Sequence, residues 1–292
     1  MTDLPGQPVF EARPPAKVNL TLKVVGRRAD GFHELRSIFL RIGLTDRLTM
    51  ARASSSDRDL LTVSGLPGAP ATRDNLVLRA LATLRSHVGI DFPPLEVMLD
   101  KRIPAAAGLG GGSSDAASAL KLAQAAWGIG LATAEESALG EDLGSDVPFF
   151  LSELTEALVV GRGEHVSPSS AVIGRAVLLV TPPIALRTFA VFDRFDQLDQ
   201  PGASNGDPAN DLWQAAASLE PSLPRLRTEL EGRSGRPWSM SGSGPTLFAL
   251  YPSVAEAAEA GRALAASRLP SLESALINAV DLVGPDPAWR YP

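Results

Sequence analysis

The segment that most narrows the possible folds is "PLEVMLDKRIPAAAGLGGGSSDAASALKLAQAAWG", residues 94–128. Its opening reads as a strand and its close has the composition of a helix with a small-residue face. Between them, four glycines occupy the five positions from Gly108 to Gly112. Glycine lets backbone N–H groups approach a ligand closely and turn through φ > 0, and a helix N-terminus adds unpaired donors and the positive end of a dipole. The pattern predicts a phosphate-binding loop shaped by Gly108, Gly110, Gly111 and Gly112, with hydroxyls from Ser113 and Ser114 and with Asp115 as a capping candidate. A bare tight turn is the competing reading, but it needs fewer glycines.

The common phosphate and hydrolase motifs do not fit. No G-x-x-x-x-G-K-[ST] occurs, and G-x-G-x-x-G fails because the last position is Ser113 counted from Gly108 and Asp115 counted from Gly110. G-x-S-x-G is absent around Ser241 and Ser243, and the three histidines give no zinc spacing.

In "AKVNLTLKVVG", Val18, Leu20, Leu22 and Val24 alternate with Lys17, Asn19, Thr21 and Lys23, which predicts a half-buried strand. A turn at Asp30–Gly31 leads to strands in "SIFLRI" and "DRLTMA", an antiparallel start. Asp74–Asn75 caps a helix marked by Val77, Leu78, Leu81, Leu84 and Val88, and Thr133 with Glu136 forms a possible capping box. Later strands are expected in "EALVVG", "RAVLLVTPP", "RPWSMSGSGPTLFALY" and "ALINAVDLV". Helices are expected from about Asn210 and in "VAEAAEAGRALAAS", and "DQLDQPGASNGDP" reads as an exposed mobile loop. Strands and helices interleave without regular alternation and without repeats. This favours an α+β fold of two lobes, 1–160 and 161–292, meeting near residues 150–165.

Composition limits the partners. The chain has 292 residues, 45% of them hydrophobic, enough for a sizeable core. With 27 Lys and Arg against 33 Asp and Glu the net charge is −6, and no basic stretch dominates, which argues against nucleic acid. Without cysteine there is no disulfide, thiolate site or cysteine nucleophile. No apolar run approaches the ~20 residues of a membrane span, and the first residues do not read as a signal peptide, so the expected place is the cytoplasm.

Other candidates are individually modest. Asp146, in "GEDLGSDVPFFL", is held between a Gly-Ser turn and a proline, where capping is the commoner role. Gly242 and Gly244 read as an ordinary turn before a strand, and Lys17 and Asn19 would by default be solvated.

Taken together, "PPAKVNLTLKVVGRRADGFHEL", "IPAAAGLGGGSSDAASAL", "GSDVPFFL" and "SGSGPTLFAL", in this order, resemble the GHMP kinase superfamily over nearly the whole chain. The long first motif is similar to that of a branch that phosphorylates the tertiary 2-hydroxyl of a small polyol carrying a cytidine diphosphate, in non-mevalonate isoprenoid synthesis. The resemblance implies an N-terminal mixed-sheet ATP-binding lobe and a ferredoxin-like C-terminal lobe. It implies ATP and Mg²⁺ as cofactors, with the metal's protein ligands unassigned, and a monomer or homodimer.

By the same resemblance, the ATP phosphates would lie on Pro104, Ala105, Ala106, Ala107, Gly108, Leu109, Gly110, Gly111, Gly112, Ser113 and Ser114, with Lys101 near the adenine and Asn75 on the nucleotide side. Lys17 and Asp146 correspond to the catalytic pair. Phe32 and His33, with Asn19 nearby, correspond to the cytosine region, and Thr188, Phe192, Gly242, Ser243 and Gly244 to further substrate positions. Where the family usually has Tyr before the histidine this chain has Phe32, which keeps a stacking face and loses a hydroxyl. A homoserine- or mevalonate-type kinase and a non-catalytic nucleotide sensor are the alternatives. The first would lack "GRRADGFHEL", and the second would not need both Lys17 and Asp146.

Overall fold

The computed structural model describes residues 8–54, 56–170, 176–198, 209–267 and 269–282, and the backbone of 289–290. In chain order the first elements are β1 (Phe10–Ala12), β2 (Pro15–Arg27), β3 (His33–Thr45), β4 (Arg47–Arg52), β5 (Leu60–Gly65), α1 (Leu76–Val88), β6 (Leu95–Lys101), α2 (Gly111–Trp127), α3 (Thr133–Leu143), α4 (Val147–Leu151), β7 (Glu156–Gly161) and β8 (His165–Pro168). The rest are β9 (Ala176–Thr181), α5 (Thr188–Asp196), α6 (Trp213–Leu219), α7 (Ser222–Ser234), β10 (Ser239–Met240), β11 (Leu247–Tyr251), α8 (Val254–Ala266), β12 (Leu276–Asp281) and β13 (Trp289–Arg290).

Three sheets organise these elements, ordered β13-β1-β4-β6-β5, β2-β3-β7-β8 and β10-β11-β9-β12. The third alternates strands and helices as β-α-β-β-α-β with antiparallel pairing throughout, the expected ferredoxin-like lobe. Hydrogen bonding of the second sheet continues through β8 to Pro168, past the boundary drawn at residue 160. Two isolated bridges, Leu22 to Asn210 and Ile42 to Leu282, also tie this sheet to the C-terminal half.

The second sheet is a middle layer, and this corrects the reading of β2 as half-exposed. On one face Ala16, Val18, Leu40 and Ile42 pack with Val177, Leu179 and Phe248 of the third sheet. On the other, Phe39, Ala157 and Val159 join the core formed with α2 and α4. Lys17 and Asn19 therefore lie between layers, 4% and 3% exposed, rather than in solvent. Alternation cannot distinguish a solvent face from an interior polar one.

Local chemistry explains the helices. Asn75 Oδ1 accepts from Val77 N at 2.9 Å to start α1, the stripe Val77, Ala80, Leu81 and Leu84 is buried, and Gly89 at φ +69° ends it. Each such leucine contributes roughly 1.5–3 kcal/mol by leaving water. Most of α2 is buried, which accounts for its alanines: Ala116, Ala119 and Ala123 admit neighbours on several sides. The capping box expected at α3 is only half formed and one residue earlier: Glu135 Oε2 accepts from Ala132 N at 2.9 Å, but Ala132 has no side-chain acceptor to return the bond, while Glu136 binds Lys121 and Gln124. Asn210 Oδ1 accepts from Leu212 N at 2.9 Å just before α6. Most of "DQLDQPGASNGDP", residues 199–208, lies outside the described residues. None of the helices, among the described residues, is long and apolar enough to cross a membrane.

Candidate active site

A cavity of about 930 Å³ opens where the glycine loop, β2, the β2–β3 hairpin and α5 converge. The loop leaves β6 at Lys101 and enters α2 through Gly110, whose φ of +69° makes it the N-cap; no side chain caps the helix. The first N–H groups of α2 are thus left for a ligand, and an anion is what they and the dipole favour. Pro104 through Ser113 line the cavity with Asn75. The Asn75 side chain is already engaged, accepting from Val77 N and donating to Pro70 O at 2.6 Å. Ser114 departs from expectation: it is fully buried off the cavity, with no hydrogen-bond partner for Oγ.

The loop is docked rather than free. Lys17 N donates to Leu109 O at 3.0 Å, and Ser241 Oγ donates to Gly108 O at 2.8 Å while accepting from Asn19 N at 3.3 Å. Gly108 sits at φ +75°, where a Cβ would lie 2.2 Å from Ser241 O. The "SGSG" turn is therefore part of the site's frame. Gly242 and Ser243 line the cavity, whereas Gly244 lies off it, turned toward Met240.

Two buried side chains of β2 meet Asp146 at the cavity wall. Lys17 Nζ donates to Asn19 Oδ1 at 2.6 Å, lies 4.6 Å from the Phe39 ring centre, and pairs with Asp146 Oδ2 at 3.4 Å. Asn19 Nδ2 donates to Ser37 Oγ at 2.8 Å, which fixes the amide so that its oxygen faces the lysine. Asp146 precedes α4 and makes no capping bond, so its carboxylate, 27% exposed, stays available to the cavity. The capping role expected of it is not seen.

Beneath the loop, Lys101 is held by two carboxylates, Asp46 and Asp115, the latter at 2.7 Å. Asp46 also accepts from Ile103 N at 2.8 Å. Asp115 is thus an ion-pair partner and not a cap. Burial, helped by Asp46 and opposed by Lys101, pushes Asp115 up to about 7. Burial works to lower Lys101, but the two carboxylates outweigh it and hold the ammonium above its usual value. Since Asp115 ordinarily titrates near 3.8, the folded protein holds a proton that the unfolded chain has released between those values. The stability this proton contributes is complete below about 4 and is lost as pH rises toward about 7. Urea unfolding across pH 4.5–7.5 is therefore expected to fall more steeply for the wild type than for Asp115→Asn; parallel profiles would show that Asp115 titrates normally.

At the far end the hairpin turn, with Gly31 at φ +88°, presents Phe32 and His33. Phe32 is 53% exposed, and the Arg162 guanidinium lies 5.0 Å from its ring centre. His33 stacks on Phe192, centroids 4.8 Å apart, and its Nε2 is 2.7 Å from Asp196 Oδ1. Thr188 Oγ1 meets Ser243 Oγ at 3.0 Å. The sequence reading missed Ser37, Asp46, Arg162, Asp196 and Ser241 as parts of this site. The signal for α5 was present, in the spacing of Val191 and Phe195 on "TFAVFDRFD", whereas single polar residues such as Asp46 carry none.

Among the described residues, no group of three or more His, Asp and Glu is placed to hold a metal ion. Several carboxylates and hydroxyls line the cavity, among them Asp146, beside Lys17, and Ser113, in the first turn of α2. This donor set fits Mg²⁺, which takes one or two protein ligands and draws the rest from phosphates and water.

Comparison with known proteins places these features. Residues 75–153 match the family described as GHMP kinases N terminal domain, and residues 198–270 match GHMP kinases C terminal. A 4-diphosphocytidyl-2-C-methyl-D-erythritol kinase of Protochlamydia amoebophila is 40% identical over 244 residues, covering 81% of this chain and 82% of its own. One from Moorella thermoacetica is 39% identical over 254 residues, covering 80% and 86%. The crystal structure of a 4-(cytidine 5'-diphospho)-2C-methyl-D-erythritol kinase superposes with a TM-score of 0.73 at 32% identity, covering 93% of this chain and 99% of that one. A homoserine kinase from Cytophaga hutchinsonii shares the fold at 14% identity, with a TM-score of 0.70 over 100% of this chain and 99% of its own.

Proposed function

The chain belongs to the 4-diphosphocytidyl-2-C-methyl-D-erythritol kinase family of the GHMP kinases, and from that premise we propose how its residues divide the reaction. It is an ATP-dependent kinase that phosphorylates the 2-hydroxyl of 4-diphosphocytidyl-2-C-methyl-D-erythritol. The observation that carries the assignment of roles is a single cavity. It joins the uncapped start of α2, the Lys17–Asp146 pair and the Phe32–His33 end.

Phosphoryl transfer requires positioning and charge neutralisation more than covalent chemistry. The N–H groups from Gly108 to Ser113 hold the ATP phosphates. Ser113 and Asp146 are the residues that would hold Mg²⁺, and the metal would supply neutralisation of phosphate charge. Lys17, held by Asn19, stabilises charge that develops during transfer and orients Asp146. Asp146 accepts the proton of the acceptor's 2-hydroxyl. Phe32 offers an aromatic face to cytosine, with the Arg162 guanidinium 5.0 Å from its ring centre. His33 recognises the base edge, and its Nε2 is already in contact with Asp196.

A coupled assay with ATP and 4-diphosphocytidyl-2-C-methyl-D-erythritol, with mevalonate and homoserine as controls, tests the substrate. Turnover of either control at a comparable rate would overturn it. His33→Ala is expected to raise KM for the cytidyl acceptor by about tenfold or more, the worth of a lost buried hydrogen bond, with KM for ATP little changed. Equal effects on both would move His33 out of the acceptor site.

A further inference from the structure

Arg41 is 3% exposed, and the acid whose charge acts on it is Glu153. Arg41 stands directly opposite Lys17 in the β2–β3 ladder, so two buried cations face each other across one pair of strands. Like charges in that position oppose pairing. Burial, opposed by Glu153, pushes the guanidinium down only to about 10, so Arg41 is cationic at neutral pH.

The partners of Arg41 show what it does. Its Nε donates to Leu154 O at 3.1 Å, and one terminal nitrogen donates to Phe149 O and Phe150 O, each at 3.3 Å. These carbonyls belong to the C-terminal end of α4 and the turn after it, where a helix leaves acceptors unpaired and favours a cation. α4 has only five residues, and Asp146 is its N-cap. Holding the far end of so short a helix holds the carboxylate as well. The guanidinium also lies 5.4 and 5.8 Å from the ring centres of Phe149 and Phe150. The Phe150 ring in turn abuts Gly110, and Phe149 packs edge-on against Phe39, the ring beside Lys17.

Three alternate residues of β3 thus each serve one group of the site. Ser37 fixes Asn19, Phe39 backs Lys17, and Arg41 carries α4. We propose that Arg41 is a positioning residue for phosphoryl transfer, setting the Asp146 carboxylate against Lys17 through the carbonyls of α4. The inference rests on the role given to Asp146 in the proposed function.

The test compares Arg41→Met, which keeps an apolar stem, and Arg41→Lys, which keeps a charge without the fork, with Asp146→Asn and with the double variant Arg41→Met/Asp146→Asn. Steady-state kinetics with both substrates are read alongside urea unfolding. Displacing a reacting group by about an ångström costs on the order of 100-fold. Arg41→Met is therefore expected to lower kcat by roughly that factor with both KM values within about twofold, and Arg41→Lys to recover part of it. In the Asp146→Asn background the Arg41 substitution is expected to cost nothing further. A kcat within twofold of wild type in Arg41→Met, or the same loss repeated on top of Asp146→Asn, would overturn the proposal. If Arg41→Met does not fold, Arg41→Lys carries the comparison. Near-normal turnover in Asp146→Asn alone would instead strike the role of Asp146, which separates the two failures.

Discussion

Asp146→Asn is expected to lower kcat by about 10²–10⁴-fold, the range for loss of a positioned proton acceptor, with a much smaller loss of ATP affinity, since the amide keeps one oxygen donor for Mg²⁺. The amide has the carboxylate's shape, and Asp146 makes no capping bond for α4 to lose, so the thermal midpoint should stay within a degree or two of wild type. The expectation depends on Asp146 lying at the start of α4, 3.4 Å from Lys17, and outside the glycine loop. Single-turnover kinetics with separate ATP titrations give both quantities. Turnover near that of wild type would remove Asp146 from the chemistry, leaving Lys17 and the loop dipole as the principal catalysts.

Gly108→Ala is expected to disable the site by a different route. A Cβ there meets the Ser241 carbonyl oxygen at 2.2 Å, and the φ of +75° is unfavourable to any L side chain. Relief requires the loop to move off the Ser241 turn, breaking the bond from Ser241 Oγ to Gly108 O and straining that from Lys17 N to Leu109 O. A loss of about 2 kcal/mol or more in stability and a rise of at least about tenfold in KM for ATP are expected. Gly112→Ala is the control. Its Cβ would meet nothing nearer than Leu76 Cδ1 at 3.6 Å, within regular helix, so unfolding should show no loss. Equal damage from both substitutions would mean that loop mobility, and not this one approach, is what the glycines provide.

Much of the framework was legible because it rests on local rules. Asn75 before α1, Gly108 and Gly110 before α2 and the Asp30–Gly31 turn each have a short-range physical cause, and each lies where it was expected; Gly111 and Gly112, expected in the loop, form the first turn of α2. Of the cavity-lining stretch from Pro104 to Ser113, the glycines and Ser113 were legible for the same reason, and the remainder through the family resemblance. What escaped depends on contacts distant in sequence. Lys17 and Asn19 read as surface because alternation reveals two faces but not what covers the second one. Asp115 read as a cap because an acid at a helix start usually is one; its true partner, Lys101, is fixed only when β6 and α2 pack together. Ser114 carries the same serine signal as Ser113 yet points into the core, a difference of helical phase set by where α2 begins. Arg41 sits inside a strand-like apolar run, and nothing in that run distinguishes it from an exposed arginine.

The middle position of the β2–β3 sheet also bears on how such a chain can diverge. From Ala16 to Asn19 neither side of β2 is open to water, so this stretch has no face on which change is silent. From Val25 to Asp30 the same strand runs out into solvent and turns. A substitution between Ala16 and Asn19 therefore meets packed atoms on both sides, whereas one at the tip beside Phe32 and His33 meets solvent and costs little. A lineage could change its acceptor there without rebuilding its chemistry.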